Sequence, residues 1–138
     1  VVFAGRVDRA RHPLLVGACD VYLLPSVHDH RGNVDGLPNT LLDALAAGCA
    51  VIASDVAGVG LAVRDGETGV LVPEQCAEPL AEAMRALLND PARRARLGAA
   101  ARADVTTRLT WARTAMAFEQ VFFAARDRMA QSGGSTGD

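Results

Sequence analysis

One segment of the chain carries most of the residues that could bind a charged ligand. It begins at Asp35 and reads Asp-Gly-Leu-Pro-Asn-Thr-Leu-Leu-Asp-Ala-Leu-Ala-Ala-Gly. Proline suits the first position of a helix and glycine the position after its end, so a helix is predicted from about Pro38 to Ala47. Leu37 then lies near the N-cap and has no side-chain oxygen to accept the first amides. Free amides at 39–41 would attract an anion, phosphate above all.

Two carboxylates flank this predicted helix start. Asp43 is the only charged residue in an otherwise apolar helix and lies one turn beyond Asn39 and Thr40. An unpaired carboxylate is costly to bury, so Asp43 either accepts hydrogen bonds from ligand hydroxyls, such as a ribose diol, or pairs with an Arg or the backbone. Asp35 precedes the helix in a loop after a strand, where open α/β sheets bind ligands. Asn39 could instead cap a helix that starts one residue later.

Alternating β-rich and helical stretches predict the elements that position this segment. Apolar runs predict strands at 1–4, 21–24, 50–53 and 70–72, with a short helix at 12–19, a glycine turn at 65–69, and helices at 77–88, 91–104 and 110–129. This order is typical of an α/β fold with a Rossmann-like parallel sheet, flanking helices and a helical C-terminal part. It predicts one domain over 1–130, followed by a disordered Gly/Ser-rich tail over 131–138.

Composition narrows the function classes. The net charge is -2, and all 14 basic residues are arginine, so no nucleic-acid partner is expected. Three widely spaced cysteines argue against a disulfide framework or structural zinc, which favours a cytoplasmic location. No apolar stretch reaches the roughly 20 residues that cross a bilayer. The chain begins without Met, as if in mid-strand, which predicts a fragment of a longer polypeptide.

Other motifs give weaker signals. His28-Asp29-His30, followed by Asp35, could chelate a metal, but no further ligands follow, so no metal site is predicted. This loop is expected to be flexible and solvated, or to help shape a pocket. Neither Gly-x-Gly-x-x-Gly after a strand nor GxxxxGK[ST] is present, which argues against a dinucleotide site or a P-loop.

Over about residues 1–125 the chain resembles the GT-B fold glycosyltransferases of family 4, also called glycosyl transferases group 1. Asp35-x7-Asp43 followed by Ala-Leu-Ala-Ala-Gly is similar to the E-x7-E segment of that family. The resemblance also covers Val2-Phe3-Ala4-Gly5-Arg6-Val7, Ala18-Cys19-Asp20-Val21-Tyr22-Leu23-Leu24-Pro25-Ser26, Ala50-Val51-Ile52-Ala53-Ser54-Asp55-Val56-Ala57-Gly58-Val59 and 63–73.

The resemblance implies a donor-binding C-terminal domain with roles for individual residues. Asp35 would contact the donor sugar at the reaction centre, and the sugar pocket would be lined by Gly36, Leu37 and Pro38. The diphosphate would meet the amides of Asn39 and Thr40, and the ribose would be held by Asp43. The base would lie near Gly5, Arg6 and Val7. Both acids are Asp where the family usually has Glu, and Pro38 stands where Gly is frequent.

The implied activity is transfer of a hexose from a nucleoside diphosphate, with retention at the anomeric carbon and without a metal or other cofactor. The implied partners are the nucleotide-sugar donor and an N-terminal acceptor-binding domain of the same polypeptide, without which the fragment should be inactive. A degenerate or non-catalytic nucleotide-binding α/β module is the alternative. A dimer through the apolar last helix is a further expectation. The Arg-rich stretch 93–96 is expected to be a solvated helix face, with peripheral membrane contact of the full enzyme as the alternative.

Overall fold

The structure, a computed structural model, describes residues 1–132. It forms two compact units, Val1–Thr106 and a second that begins at Thr107. The strands are β1 (Val21–Leu24), β2 (Ala50–Ser54) and β3 (Val70–Val72). The helices are α1 (His12–Gly17), α2 (Asn39–Ala47), α3 (Val59–Ala62), α4 (Ala77–Leu88), α5 (Pro91–Arg108) and α6 (Trp111–Ser132).

The three strands form a parallel sheet in the order β1-β2-β3. In register, Leu23 lies beside Ile52, and Ile52 lies beside Val70. Every residue of the central strand β2 is buried, as expected when a parallel strand is covered on both faces. The predicted α/β fold with a parallel sheet and flanking helices is confirmed. Because the strands are parallel, the loops that follow them emerge at one edge.

Helix packing orients the predicted ligand-binding segment. Helix α2 buries Leu41, Ala44 and Leu45 and packs against α1 and β2. Its opposite side carries the exposed residues Asn39, Thr40 and Asp43, as the predicted polar stripe requires. Helix α4 packs on the sheet, where its side chains join a core built from Ala50, Ile52, Val72, Leu87 and Leu97.

The C-terminal end of α2 touches the backbone of α5. Gly48 ends α2 in the left-handed conformation, with φ 77, as predicted. Gly98 lies opposite, in α5, and a Cβ built on it would overlap the Gly48 carbonyl oxygen. Only glycine at 98 permits this approach, because any other side chain would force the two backbones apart.

The predicted strand over 1–4 is wrong. These residues form no regular structure, and Val2 and Phe3 are each 92% exposed. A strand needs a neighbour whose backbone completes its hydrogen bonds, and among the described residues none pairs with this stretch. The single helical turn α3 was not predicted, since Val59–Ala62 is shorter than any periodic pattern that could reveal it.

The C-terminal helices extend further than predicted. Helix α5 continues to Arg108, and α6 begins after Thr110, whose Oγ1 accepts the Arg113 amide at 3.3 Å. That contact confirms Thr110 as the predicted N-cap. Helix α6 includes residues 131 and 132, and the rest of the predicted disordered tail, 133–138, lies outside the described residues. None of the helices over residues 1–132 combines the length and apolar character needed to cross a membrane.

Candidate functional site at the carboxyl edge of the sheet

The loop between β1 and α2 brings most of the predicted site residues to one edge of the sheet. It leaves the end of β1 at Leu24 and contains Asp35, Gly36 and Leu37 before α2 begins. Ligands of open α/β sheets bind outside the carboxyl ends of the strands, at such loops. The topology therefore places this segment where a ligand site is expected.

The first turn of α2 leaves two amides available to a ligand. Pro38 is the N-cap, with φ -62 and ψ 130, and no side chain caps the helix. Among the described residues, no protein group accepts a hydrogen bond from the amides of Asn39 or Thr40. The Leu41 amide donates to the Pro38 carbonyl oxygen at 3.0 Å. The helix start carries partial positive charge, so these two amides can meet an anion.

The predicted helix start was wrong by one residue. Pro38 lies just before the helix, not in its first position, because its extended ψ of 130 keeps it outside. The prediction that Leu41 also offers a free amide was wrong, since that amide is already bonded. The alternative, in which Asn39 caps the helix, was also wrong, because Asn39 is the first helical residue.

A contact with the loop after β2 holds the segment that leads into α2. The Gly58 amide donates to the Gly36 carbonyl oxygen at 2.7 Å. A Cβ on Gly58 would lie 2.7 Å from that same oxygen, so the two backbones touch. Pro38 is buried and Leu37 half-buried, while Gly36 and Asp35 are exposed. The loop is thereby anchored on one side and open to solvent at its acid.

The Asp35 carboxylate has no partner in the described part of the chain. No hydrogen bond or ion pair engages it, although it lies three residues before the buried Pro38. An exposed carboxylate on an anchored loop can accept hydrogen bonds from a ligand with hydroxyl groups at little desolvation cost.

The second acid, Asp43, meets a histidine that the sequence reasoning did not select. Its Oδ2 lies 3.3 Å from Nδ1 of His12, the first residue of α1. The carboxylate is 52% exposed and the imidazole 26% exposed. A partner for Asp43 was anticipated, but as an arginine or the backbone. In the sequence, His12 is recognisable only as a polar residue at the start of the short apolar helix before β1. The packing of α1 on α2 shows that His12 contacts Asp43.

The residues predicted to lie near the base, at 5–7, have no hydrogen bond or ion pair to this site in the described part of the chain. Gly5 and Arg6 are exposed and Val7 is half-buried, and none of them belongs to a helix or strand. No hydrogen bond or ion pair between described residues links them to α2 or to the loop before it. Their proposed role near the base stays a prediction.

Several hydrogen bonds involve the loop over 27–33, whose residues are all exposed. The His28 amide and its Nδ1 contact Glu74, just after β3, at 2.8 and 2.9 Å. Asp29 Oδ1 accepts the amides of Arg31 and Asn33, each at 2.8 Å. The His28 hydrogen bonds lower the pKa of Glu74, and those from Asn33 lower that of Asp29, because they favour the charged carboxylates. The loop is solvated, as expected, and its flexibility stays a prediction.

The contacts of His28 do not assemble a metal site in the described part of the chain. Glu74 joins His28, but across residues 1–132 no three His, Cys, Asp or Glu side chains converge as a metal ion would require.

The structure is an α/β domain with a parallel sheet, and at its carboxyl edge lies a helix start without a side-chain cap, which is where open α/β sheets bind ligands. The family model described as "Glycosyl transferases group 1" matches residues 1–104. The chain belongs to that family.

Relatives and solved structures agree with this assignment. The chain is 36% identical over 124 residues to a protein named glycogen synthase from Mycobacterium tuberculosis, covering 90% of this chain and 28% of that protein. It is 35% identical over 105 residues to a D-inositol 3-phosphate glycosyltransferase from Corynebacterium aurimucosum, covering 76% of this chain and 23% of that one. A sucrose-phosphate synthase from Thermosynechococcus elongatus superposes with a TM-score of 0.75 and 33% identity, over 90% of this chain and 30% of its own.

A fourth comparison concerns the fold alone. Anabaena HepE, solved in complex with UDP, superposes with a TM-score of 0.70 at 20% identity, over 84% of this chain and 30% of its own. The chain thus spans less than a third of each of these four proteins. The predicted membership of the GT-B glycosyltransferases is confirmed.

Proposed function

We propose that this chain binds a nucleoside-diphosphate-sugar donor, and that the whole enzyme transfers the hexosyl group to an acceptor with retention of anomeric configuration. The observation that carries the proposal is the start of α2. There the amides of Asn39 and Thr40 have no protein acceptor among the described residues. They lie between the unpaired carboxylate of Asp35 on the preceding loop and the half-exposed carboxylate of Asp43 one turn later.

Each group is assigned the part of the donor that suits its chemistry. The Asn39 and Thr40 amides, with the positive end of the helix, bind the diphosphate and stabilise the charge that develops on it as it leaves. Asp43 accepts hydrogen bonds from the ribose hydroxyls. Asp35, on the open side of its loop, contacts the donor sugar at the reaction centre. Gly36, Leu37 and Pro38 are assigned to the wall of the sugar site in this proposal.

The relatives support the class of donor. They include a glycogen synthase and a D-inositol 3-phosphate glycosyltransferase, and one structural neighbour was solved with UDP. We propose that no metal takes part, since the helix amides supply the positive potential at the diphosphate. An acceptor-binding domain in the same polypeptide completes the active enzyme in this proposal, and 138 residues alone do not catalyse transfer.

Titration of a panel of nucleoside diphosphate sugars into the full-length protein tests the donor assignment. We expect one donor to bind. Asp43→Ala should weaken the binding of that donor about tenfold or more, because a hydrogen bond to a charged group is lost. Asp35→Ala should reduce transfer more than it reduces donor binding. Glu82→Ala removes one carboxylate from an exposed position on α4 and is the matched control. Donor binding that survives Asp43→Ala unchanged would contradict the proposed site.

The same variants separate this proposal from a degenerate binding module. The aspartates at 35 and 43 are one methylene shorter than glutamate, which is the feature that favours the module. Product formation by the full-length protein, with anomeric configuration read by NMR and lost in Asp35→Ala, supports an enzyme. Donor binding without product for any acceptor mixture supports the module.

A further inference from the structure

We propose that His12 is a positioning residue for ribose recognition: it holds the Asp43 carboxylate so that one oxygen stays available to the ribose hydroxyls of the donor. The inference rests on the proposed function, because it concerns how the proposed ribose ligand is oriented. It adds a residue from a different helix to the site.

The backbone of His12 is fixed before its side chain reaches Asp43. Its amide donates to the Asp8 carbonyl oxygen at 3.0 Å, and the neighbouring Arg11 amide donates to Asp8 Oδ1 at 2.9 Å. Pro13 follows and restricts the backbone at the start of α1. Further along this helix, Val16 is buried. The histidine is therefore carried by a short helix that is anchored at its start and packed on α2.

The contact divides the two oxygens of Asp43 between protein and solvent. Oδ2 faces the imidazole Nδ1 at 3.3 Å, while no protein group in the described part of the chain is bonded to Oδ1. A carboxylate on an exposed helix face otherwise rotates among several rotamers, and restricting it lowers the entropic cost of binding. When the imidazole is protonated, its charge attracts Oδ2 and restricts the carboxylate, and the unbonded Oδ1 remains an acceptor for a hydroxyl.

Two observations concern the charged residues close to this pair along the chain. Asp8 lies on the same turn as His12, and its side chain is engaged by Arg11, 3.8 Å from Oδ2. On α2, Asp43 is the only charged residue. Among the described residues, His12 is the group with which Asp43 forms an ion-pair contact.

Discrimination between ribose and deoxyribose ligands measures this positioning. We take UDP, GDP and ADP with their 2′-deoxy and 3′-deoxy counterparts as probes, and follow the ratio of deoxy to ribo dissociation constants for the full-length protein by calorimetry. A well-placed hydroxyl contact to a charged acceptor predicts a ratio of about tenfold or more in the wild type.

Two substitutions at position 12 separate orientation from packing. His12→Phe keeps an aromatic ring but removes the ring nitrogen that faces Asp43, and should lower the ratio about threefold or more, toward that of Asp43→Ala. His12→Asn places an amide N–H near the position of Nδ1 and should restore most of the ratio. Leu14→Ala, at a 73% exposed position of the same helix, is the control and should leave the ratio unchanged.

The outcomes distinguish this inference from the proposed function. Suppose that the wild type discriminates between ribo and deoxy ligands and that Asp43→Ala abolishes this discrimination. If His12→Phe still discriminates as well as the wild type, the positioning role of His12 is refuted and the ribose assignment of Asp43 stands. If His12→Phe and His12→Asn weaken ribo and deoxy ligands equally, His12 is only structural, which also overturns the inference. If no base gives discrimination in the wild type, the ribose assignment of Asp43 itself fails. Unfolding monitored by circular dichroism verifies that each variant is folded before its ratio is used.

Discussion

Gly58 is the position at which one methyl group tests how the proposed donor loop is held. Its amide donates to the Gly36 carbonyl oxygen at 2.7 Å. In Gly58→Ala the new Cβ would lie 2.7 Å from that oxygen and 3.6 Å from Leu37 Cβ. Cβ atoms do not approach an oxygen this closely, so the Gly36 carbonyl must move by at least a few tenths of an ångström.

The expected magnitude differs between stability and binding. The Gly36–Gly58 hydrogen bond contributes about 0.5–1.5 kcal/mol to stability, so its distortion should lower the free energy of unfolding by about 1 kcal/mol. Binding should respond more strongly, because the displaced residues lead directly into the amides proposed to hold the diphosphate. A displacement well below 1 Å in a positioning contact predicts donor binding that is on the order of tenfold weaker.

Gly17→Ala is the matched control for this substitution. Gly17 ends α1, has no positive φ, and a Cβ there would meet no heavy atom within 4 Å. That substitution should leave binding unchanged and stability unchanged or higher by up to about 1 kcal/mol. The assay is calorimetric titration of the best donor of the panel, paired with urea unfolding. Wild-type donor affinity in a Gly58→Ala protein that unfolds less stably would refute the view that this contact positions the loop.

Two further predictions concern packing and pH. Gly98→Ala should lower the free energy of unfolding by about 2 kcal/mol or more, since the methyl group would overlap the Gly48 carbonyl and separate α2 from α5; urea unfolding at wild-type stability would contradict this. Glu74→Gln should lower the melting temperature at neutral pH. Because the His28 hydrogen bonds hold the pKa of Glu74 below its ordinary 4.5, the contribution is present above that value and is lost as the pH falls through the lowered pKa. The difference between wild type and variant should shrink below about pH 4.5; a constant difference down to pH 2 would refute it.

Two predictions about partners stay predictions. Large apolar side chains of α6 are exposed, among them Trp111, Phe118 and Phe122. This agrees with the apolar pattern from which a dimer was predicted. Peripheral membrane contact through the Arg-rich stretch 93–96 is equally untested.

Much of the fold was predictable from local patterns. The apolar runs at Val21–Leu24 and Val70–Val72 became β1 and β3 as predicted, and Ala77–Leu88 became α4 with the predicted bounds. These elements follow from the periodicity of apolar residues and from the Gly and Pro residues that end helices and strands. Both are encoded in a few neighbouring residues. The stretch over 1–4 has the same composition as a strand and is not one, because a strand depends on a neighbour that its own residues do not specify.

The sequence by itself determined the family and the residues along α2 that are proposed to bind the donor, because their types and spacing lie within one continuous segment. Only the tertiary structure showed that Asp43 meets His12, that Gly58 touches Gly36, and that His28 is tied to Glu74. Each of these contacts joins residues far apart in the chain, and their approach is decided by how parallel strands align and how helices pack on them. Spacing in a single sequence contains no direct measure of that distance.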